Sequence, residues 1–520
     1  MLSDKQKELV SIYITEDEAF GPVNAAEIED TEALQILFDT HNRIYKQLHQ
    51  RPSIVIGRKG AGKTSYLHSA YFEKNYDYVV EISTPKAFTN VIESIEKTTK
   101  GALFPETIAE MWETVLCITF FSKIREELCA SKKLIDAYLA KIGIRAGATI
   151  DDVLWNIADT ISEKASGKAL GIIAEILRRT DNISFADVKE TVRKELQEKK
   201  QRAVIMLDSL DEFQLDIDSV SLALQGLLKC IGRSNKPSAR TDIRFCLPAE
   251  LFHKFQSISS NPNKDFRREL VLHWTAPELL LVAANRLLLY LELYKNDFYK
   301  NYGATSILNN NDVRKIFHTI LPNQMVGGLG VTEEPLAYII RHTQLLPRHL
   351  LILLNSIWQR NKRLSESNCL KLHEDSIREG VSAVEQKLVM EIFVAYKAVH
   401  PHAQAACEQC FPELHHVFSI GDLERVFRTH GKRATESDDF FLFKRMLIEI
   451  GAIGKVINVT DRYVQALFEY TVPHRLVTST DDELCIHPLF SEIYSAKTKL
   501  KMPVYPYGSM LDDPDYREWD

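Results

Sequence analysis

The chain has 520 residues with a formal net charge of −7, and 45% of the residues are hydrophobic and 26% charged. This is the balance of a globular protein with ample core-forming material, and the length is typical of roughly three domains. The negative net charge argues against a protein that coats nucleic acid, although a local basic patch is compatible with it.

The first 50 residues have a mostly helical pattern that is interrupted at Phe20-Gly21-Pro22. From Glu32 to Leu48 the apolar residues recur on one helical face, which predicts an amphipathic helix. We expect this helix to lead directly into the first strand.

The stretch Gly57–Thr64 matches G-x-x-x-x-G-K-[ST] at every fixed position. The run Ile54–Ile56 before it predicts a buried strand, and Ser65–Tyr71 after it predict the start of a helix. Glycines allow backbone N–H groups to approach phosphates closely, while the lysine and threonine of this motif suit the β- and γ-phosphates and Mg²⁺. We therefore predict nucleotide binding by Gly57, Arg58, Lys59, Gly60, Ala61, Gly62, Lys63, Thr64 and Ser65.

A second strand is predicted at Tyr78–Ile82, and residues 86–200 are then largely helical in pattern. Apolar residues recur at three- and four-residue intervals in Ile108–Leu128 and Leu154–Leu177. We interpret this region as a large helical insertion within the nucleotide-binding domain.

The next strong signal is the apolar run Ala203–Leu207, which is followed by acids at Asp208, Asp211 and Glu212. A continuous apolar run is typical of a strand covered on both faces in a parallel sheet. At the tip of a strand beside the first strand, Asp208 would hold the hydration shell of Mg²⁺. Either Asp211 or Glu212 would act as the base that activates water, and the sequence does not distinguish them.

Later strands are predicted at Ile243–Leu247 and Leu270–Trp274, and a helix at Ala276–Leu291. The segment between the two strands contains Arg267 and Arg268. These arginines are candidates for contact with a γ-phosphate, in the same subunit or across an interface, and solvation at the surface is the alternative.

Residues 291–384 are predicted to form a helical lid. Its most informative stretch places Pro347 at a helix start and Arg348 in the first turn. A cation there opposes the helix dipole, which indicates another partner. Nucleotide phosphates are one candidate partner, and a bond to a neighbouring domain is the alternative.

Residues 385–500 show helices followed by a predicted hairpin, a pattern typical of a winged helix, which binds DNA in some proteins and only packs in others. Its basic residues alternate with acids. Cys407 and Cys410, with histidines nearby, are either Zn²⁺ ligands or thiols on a helix face. The tail from Met502 is predicted to be extended or disordered.

Gly57–Thr64, Asp208–Glu212, the arginine helix at Leu345–Leu350 and the winged-helix-like end together resemble the AAA+/STAND branch of P-loop ATPases. More narrowly, Phe20-Gly21, Leu207–Glu212 and the Leu272–Trp274 segment look like bacterial P-loop ATPases associated with phage-defence loci. The resemblance covers residues 15–360, and the C-terminal domain only weakly.

The sequence departs from that family at two positions. Ser209 stands where many AAA+ enzymes have the second acid of the Walker B element, which is compatible with slow hydrolysis. The strand Ile243–Leu247 ends at Pro248 rather than at the polar residue expected of a sensor 1 position.

The expected fold is α/β, a P-loop NTPase whose parallel sheet is flanked by helices and carries the large helical insertion at about 86–200. The expected domains are an N-terminal helical segment (1–50), the P-loop core (51–290), a helical lid (291–384), a winged-helix-like α+β domain (385–500) and an extended tail (501–520).

The expected function is an ATP-binding and ATP-hydrolysing switch that requires Mg²⁺ and signals to a protein partner or within a homo-oligomer, in the setting of phage defence that the resemblance implies. ATP is favoured over GTP because no N-K-x-D motif is present. The alternatives are an ORC-like protein that binds DNA under ATP control and a nucleotide-binding scaffold with little turnover.

Without a signal-peptide pattern or a run of ~18 apolar residues, and with cysteines lying in apolar runs, the expected location is the cytoplasm, with no membrane partner.

Overall fold

The computed structural model describes residues 2–38, 52–83, 105–145, 147–150, 152–153, 183–208, 218–234, 240–258, 269–302, 310–364, 370–472, 475–497, 502–510 and 512. The chain is divided into two compact units. The parallel-sheet unit comprises Thr40–Arg58 and Lys63–Leu272, and the mixed-sheet unit comprises Met1–Asp39, Lys59–Gly62 and His273–Asp520. The finer domain boundaries given above stay a prediction.

The described strands are, in chain order, β1 (Ile54–Gly57), β2 (Tyr78–Ser83), β3 (Ala203–Asp208), β4 (Thr241–Pro248), β5 (Glu269–Leu272), β6 (Met325–Val326), β7 (Thr332–Glu333), β8 (Val417–Ser419), β9 (Ile453–Val459), β10 (Val464–Leu467), β11 (Glu483–Ile486) and β12 (Val504–Pro506).

The described α-helices are α1 (Asp4–Ser11), α2 (Thr31–Leu37), α3 (Lys63–Leu67), α4 (Ala70–Asn75), α5 (Pro105–Ile124), α6 (Lys132–Lys141), α7 (Phe185–Glu198), α8 (Asp218–Ser234), α9 (Phe252–Ile258), α10 (Ala276–Tyr294), α11 (Asn296–Tyr302), α12 (Asn310–Ile320), α13 (Pro335–Arg341), α14 (Pro347–Leu364), α15 (Glu374–Tyr396), α16 (Ala403–Cys410), α17 (Ile420–Val426), α18 (Lys432–Thr435), α19 (Phe440–Glu449) and α20 (Pro488–Ser491).

The first unit is built on a parallel sheet with the strand order β2-β3-β4-β1-β5. The three central strands are buried almost throughout, as expected for strands covered on both faces. The edge strand β5 instead alternates between exposed and buried residues. The prediction that β3 lies beside β1 is wrong, because β4 pairs with both of them and separates them.

The insertion contains the helices α5, α6 and α7, as predicted, and the predicted helical stretch Leu154–Leu177 lies outside the described residues. Helix α5 packs closely on α8. A Cβ atom at Gly226 would lie 2.4 Å from Cγ2 of Ile108, so the close approach depends on this glycine. The indole Nε1 of Trp112 donates a hydrogen bond to the carbonyl of Ala223 at 2.8 Å, which fixes the same pair of helices.

In the mixed-sheet unit, α14 and α15 pack together, and α16 to α19 precede a hairpin of β9 and β10. The sheet has the order β12-β10-β9-β11-β8, with β12 parallel to β10 and the other neighbours antiparallel. The predicted fold class is therefore confirmed: a parallel sheet flanked by helices, with an α+β C-terminal part.

Within the described part of the predicted tail, Val504–Pro506 form strand β12 and are part of the sheet. Val504 and Tyr505 pair with β10 and are buried, and Val504 joins a core cluster with Phe468 and Cys485. Within the described part of the chain, no helix has the length and apolar character needed to cross a bilayer.

Candidate nucleotide-binding site

The loop between β1 and α3 contains two glycines in the left-handed region, Gly60 with φ +85° and Gly62 with φ +91°. Most L-residues are disfavoured there, so the glycine spacing of the motif is required by the backbone itself. A Cβ atom at Gly60 would also lie 3.0 Å from Cβ of Arg348. The loop therefore has the shape in which successive backbone N–H groups can turn toward an anion.

The side chains of Lys63 and Thr64, the carbonyl of Gly57 and the carboxylate of Asp208 lie at the carboxyl ends of β1 and β3 in the parallel-sheet unit. The Lys63 ammonium donates to the carbonyl of Gly57 at 3.0 Å, and Lys63 is 8% exposed. The Thr64 hydroxyl donates to Oδ2 of Asp208 at 3.0 Å. A hydroxyl and a carboxylate at this separation form an oxygen donor set that suits Mg²⁺, which usually keeps several waters and takes few protein ligands.

The remaining motif residues occupy different environments. Arg58 and Lys59 are half-buried, whereas Ala61 and Ser65 are buried. Within the mixed-sheet unit, Nε1 of Trp274 donates a hydrogen bond to the carbonyl of Ala61 at 2.9 Å. This bond fixes the backbone of the loop at Ala61. The sequence shows Trp274 directly before a helix start, but no local pattern indicates this hydrogen bond.

Arg348 lies in the first turn of α14, as predicted, and touches the tip of the loop within the mixed-sheet unit. Its backbone N–H donates to the carbonyl of Gly60 at 3.4 Å. Its side-chain Nε is buried and has no hydrogen-bond partner among the described residues. A buried guanidinium nitrogen without a partner costs free energy, so this side chain is suited to receive an acceptor.

The other predicted catalytic residues cannot be placed. Asp211 and Glu212 follow β3, and Arg267 and Arg268 precede β5, but all four lie outside the described residues. Their roles stay predictions.

A charged network that the sequence reasoning missed lies at the opposite end of the sheet. Asp242 accepts hydrogen bonds from the hydroxyl of Tyr76 at 2.7 Å and from Arg202 at 2.8 Å, and Arg244 approaches it at 3.3 Å. Burial raises the pKa of Tyr76. Because the group joins β4 to the chain before β2 and β3, it fixes the sheet rather than the candidate site.

A second missed residue is Arg286 on α10, which is fully buried. Its Nε donates to the carbonyl of Leu37 at 2.7 Å, its Nη1 donates to that of Phe20 at 3.0 Å, and its guanidinium lies over the ring of Phe38. Burial lowers the pKa of Arg286 to about 9. These contacts lie at the C-terminal end of α2, where a cation stabilises the last carbonyls. Helix α2 ends at Leu37, and residues 39–48 of the predicted Glu32–Leu48 helix lie outside the described residues.

The basic residues of the winged-helix-like region are largely paired with acids. Arg428 contacts Glu424 at 2.6 Å, and Arg445 contacts Glu449 at 2.6 Å.

Cys407 and Cys410 are buried free thiols on α16, and burial raises the pKa of Cys410 to about 12. Within the described ranges, no three His, Cys, Asp or Glu side chains come together as a metal site.

Neither a protein-family model nor a curated protein matches the chain. Among solved structures, the Aeropyrum pernix ORC2 protein in ADPNP–ADP complexes is 11% identical, with 92% of this chain and 96% of that chain covered and a TM-score of 0.35. The Aeropyrum pernix ORC1 protein in complex with DNA is 12% identical, covering 88% and 96%, with a TM-score of 0.31. For Cdc6p from Pyrobaculum aerophilum the identity is 12%, the coverage 93% and 97%, and the TM-score 0.28. TM-scores this low do not establish a common fold.

Proposed function

We propose that this protein binds ATP with Mg²⁺ on the loop Gly57–Ser65 and hydrolyses it slowly, as a molecular switch. The observation that carries the proposal is the 3.0 Å contact between the Thr64 hydroxyl and Asp208 Oδ2, at the end of a loop with two left-handed glycines. Residues from two distant parts of the sequence thereby form the donor pair that the motif requires.

In this function the loop backbone cradles the phosphates, and Lys63 exchanges its contact with the Gly57 carbonyl for a phosphate oxygen. Thr64 and Asp208 hold Mg²⁺, which when bound neutralises phosphate charge. Arg348 donates from its unpartnered Nε to a phosphate, and Arg267 or Arg268 supplies further charge. Asp211 or Glu212 takes the proton of the attacking water.

The assignment of Thr64 is tested by calorimetric titration of the full chain with ATP, in MgCl₂ and in EDTA. We expect Thr64→Val to lose the gain in affinity that Mg²⁺ gives, by about tenfold or more, because valine keeps the shape of threonine without its oxygen. Thr64→Ser keeps the hydroxyl and should retain the gain. Equal Mg²⁺ dependence in the wild type and Thr64→Val would refute the metal assignment.

Nucleotide binding itself is tested with Lys63→Ala. Removing the ammonium should weaken ATP binding by at least about tenfold, or ~1.4 kcal/mol. Lys194→Ala, at a lysine of α7 whose side chain is 64% exposed, is the matched control for a general loss of positive charge. If the wild type binds neither ATP nor ADP, the proposal fails as a whole.

The hydrolytic step is tested by the rate of phosphate release from Asp211→Asn and Glu212→Gln. The residue that acts as base should lose about 100-fold or more of the turnover while the ATP affinity is kept. If neither variant changes the rate, the chain is a nucleotide-binding scaffold with little turnover.

We infer that the output passes to a protein partner or to a second copy of the chain, since a switch acts through states that a partner distinguishes. Sedimentation with ATP, with ADP and without nucleotide measures this. The phage-defence setting rests on the sequence resemblance alone.

The DNA-binding alternative is measured in the same samples by titration with duplex DNA at two salt concentrations. An affinity that falls with salt and changes with ATP would favour it. The ion pairs of Arg428 and Arg445 with acids count against this alternative, because a paired cation adds less positive charge to a DNA-binding surface.

A further inference from the structure

The parallel-sheet unit contains a cavity of about 310 Å³ that is separate from the candidate nucleotide site. Helices α5, α7 and α8 line it together with the first residues of β3 and β4, including Ile205 and Thr241. The candidate nucleotide site lies instead at the carboxyl ends of the strands, at Gly57 and Asp208. The cavity therefore requires an explanation of its own.

The walls of the cavity are mainly apolar. They include one face of α5, one residue of α7 and two strand residues, which are Leu116, Phe120, Phe121, Val192, Ile205 and Ile243. The volume is near the lower end of the range of roughly 300–1,000 Å³ found for ligand pockets. A ligand of this cavity would be small and would bury an apolar body.

The charged residues of the cavity are mostly cations. Lys189, Arg193, Arg233 and Arg240 line it, against the single acid Glu113. Two of the cations already have acidic partners, because Lys189 bonds to Glu113 and Arg193 contacts Glu190 at 2.7 Å.

The other two cations, Arg233 and Arg240, have no acidic partner among the described residues. The side chains of Arg233 and Arg240 form no hydrogen bond or ion pair with any described residue, and Arg233 lies in the last turn of α8. The pKa of the nearby Glu106 carboxyl is lowered mainly by its hydrogen bond with Lys229, and Arg233 adds only a smaller electrostatic effect. Two guanidinium groups beside an apolar cavity are thus available to an anion, and their planar donors match a carboxylate.

We propose that this cavity binds a small amphipathic carboxylate, with its apolar chain against Phe120 and Ile205 and its carboxylate between Arg233 and Arg240. A neutral apolar molecule would use the walls but not the two guanidinium groups. A highly charged anion would use the guanidinium groups but not the walls. The proposal does not depend on ATP binding, because it uses none of the residues of the candidate nucleotide site.

The test is calorimetric titration of the full chain with decanoate and, as the neutral probe of equal length, decanol, each below its aggregation concentration. We expect one decanoate per chain and an affinity for decanol lower by about tenfold or more. The double variant Arg233→Gln/Arg240→Gln should bind decanoate about tenfold or more weakly. Arg378→Gln, which removes an arginine paired with Asp375 on α15, should bind it as the wild type does.

A second variant tests the position of the apolar chain. Val192→Trp fills the cavity and should abolish decanoate binding, and a cooperative thermal transition would show that this variant is folded. Absence of one-to-one binding, equal affinity for decanoate and decanol, or unchanged binding by the double arginine variant would overturn the proposal. Tighter binding of decyl phosphate than of decanoate would overturn the choice of a carboxylate.

Discussion

At the scale of single residues, Gly60 is the position where the loop tolerates least change. Its φ is +85°, and a Cβ atom would lie 3.0 Å from Cβ of Arg348. We expect Gly60→Ala to lower both the free energy of unfolding and the ATP affinity, because the left-handed backbone costs ~1–2 kcal/mol and the arginine must also move. Urea unfolding and ATP titration measure the two effects.

Gly330 provides the matched control for this prediction. It has φ +75°, and a Cβ atom there would meet nothing within 4 Å. Gly330→Ala should therefore show the backbone cost alone and leave ATP binding unchanged. If Gly60→Ala binds ATP with the wild-type affinity, close packing at the loop tip is not needed for the nucleotide.

The single residues also show which contacts a sequence can reveal. The Gly57–Thr64 motif is local, so its glycines and its lysine are recognised directly. Arg286 is the one cation of a mainly apolar helix, and such a charge indicates a buried group with partners. The partners are carbonyls of residues about 250 positions away. The spacing of residues within one segment does not indicate contacts between residues so far apart in the sequence.

At the scale of elements, the helices α13 and α15 enclose a buried carboxyl group. Glu385 Oε1 lies 3.6 Å from Nε2 of His342, and both side chains are buried. Burial, reinforced by Glu492 and opposed by Arg341, raises the pKa of Glu385 to about 8 from its ordinary value of 4.5. Burial also lowers the pKa of His342, so the imidazole stays neutral.

The sign of the resulting pH dependence follows from proton binding. Between about pH 4.5 and 8 the folded chain keeps a proton on Glu385 that the unfolded chain has released. The contribution of this group to the free energy of unfolding therefore falls as the pH rises through that window, by up to ~1.4 kcal/mol per pH unit. Glu385→Gln mimics the protonated form and should be as stable as the wild type at pH 4.5, but more stable by a few kcal/mol at pH 8.

Urea unfolding at several pH values checks this difference, with Glu379→Gln as the control. Glu379 is on the same helix, but its side chain is 53% exposed. Its substitution should leave the pH dependence unchanged. A constant stability difference between Glu385→Gln and the wild type at all pH values would contradict the prediction.

The strands show that a local sequence pattern predicts a strand but not its neighbours in the sheet. The apolar runs of β1 and β3 identify both as buried strands, but the pattern does not specify neighbours, and β4 lies between them. Strand β12 has prolines at its end and just before it, Pro506 and Pro503, which locally indicate a loop. Its place in the sheet depends on tertiary partners instead: it pairs with β10, and the hydroxyl of Tyr505 donates to Glu333 at 2.5 Å.

At the scale of the whole molecule, successive residues of the loop Gly57–Ser65 are assigned to different units. Gly57, Lys63 and Thr64 belong to the parallel-sheet unit, whereas residues 59–62 belong to the mixed-sheet unit. Within the latter, the loop tip has hydrogen bonds from Arg348 and Trp274. A ligand that contacts residues 59–62 is therefore expected to affect backbone contacts within the mixed-sheet unit.

This arrangement makes a prediction for hydrogen exchange measured by mass spectrometry. The first N–H groups of a helix have no intrahelical acceptor, so the N–H of Arg348 in α14 depends on the Gly60 carbonyl. Adding ATP and Mg²⁺ should slow exchange in α3 and also in the first turn of α14, while peptides covering β12 stay unchanged. Lys63→Ala should remove both effects, because it removes binding. If ATP protects α3 but leaves the first turn of α14 at its original rate, the loop does not transmit nucleotide occupancy to the mixed-sheet unit, and the switch that we propose lacks its first step.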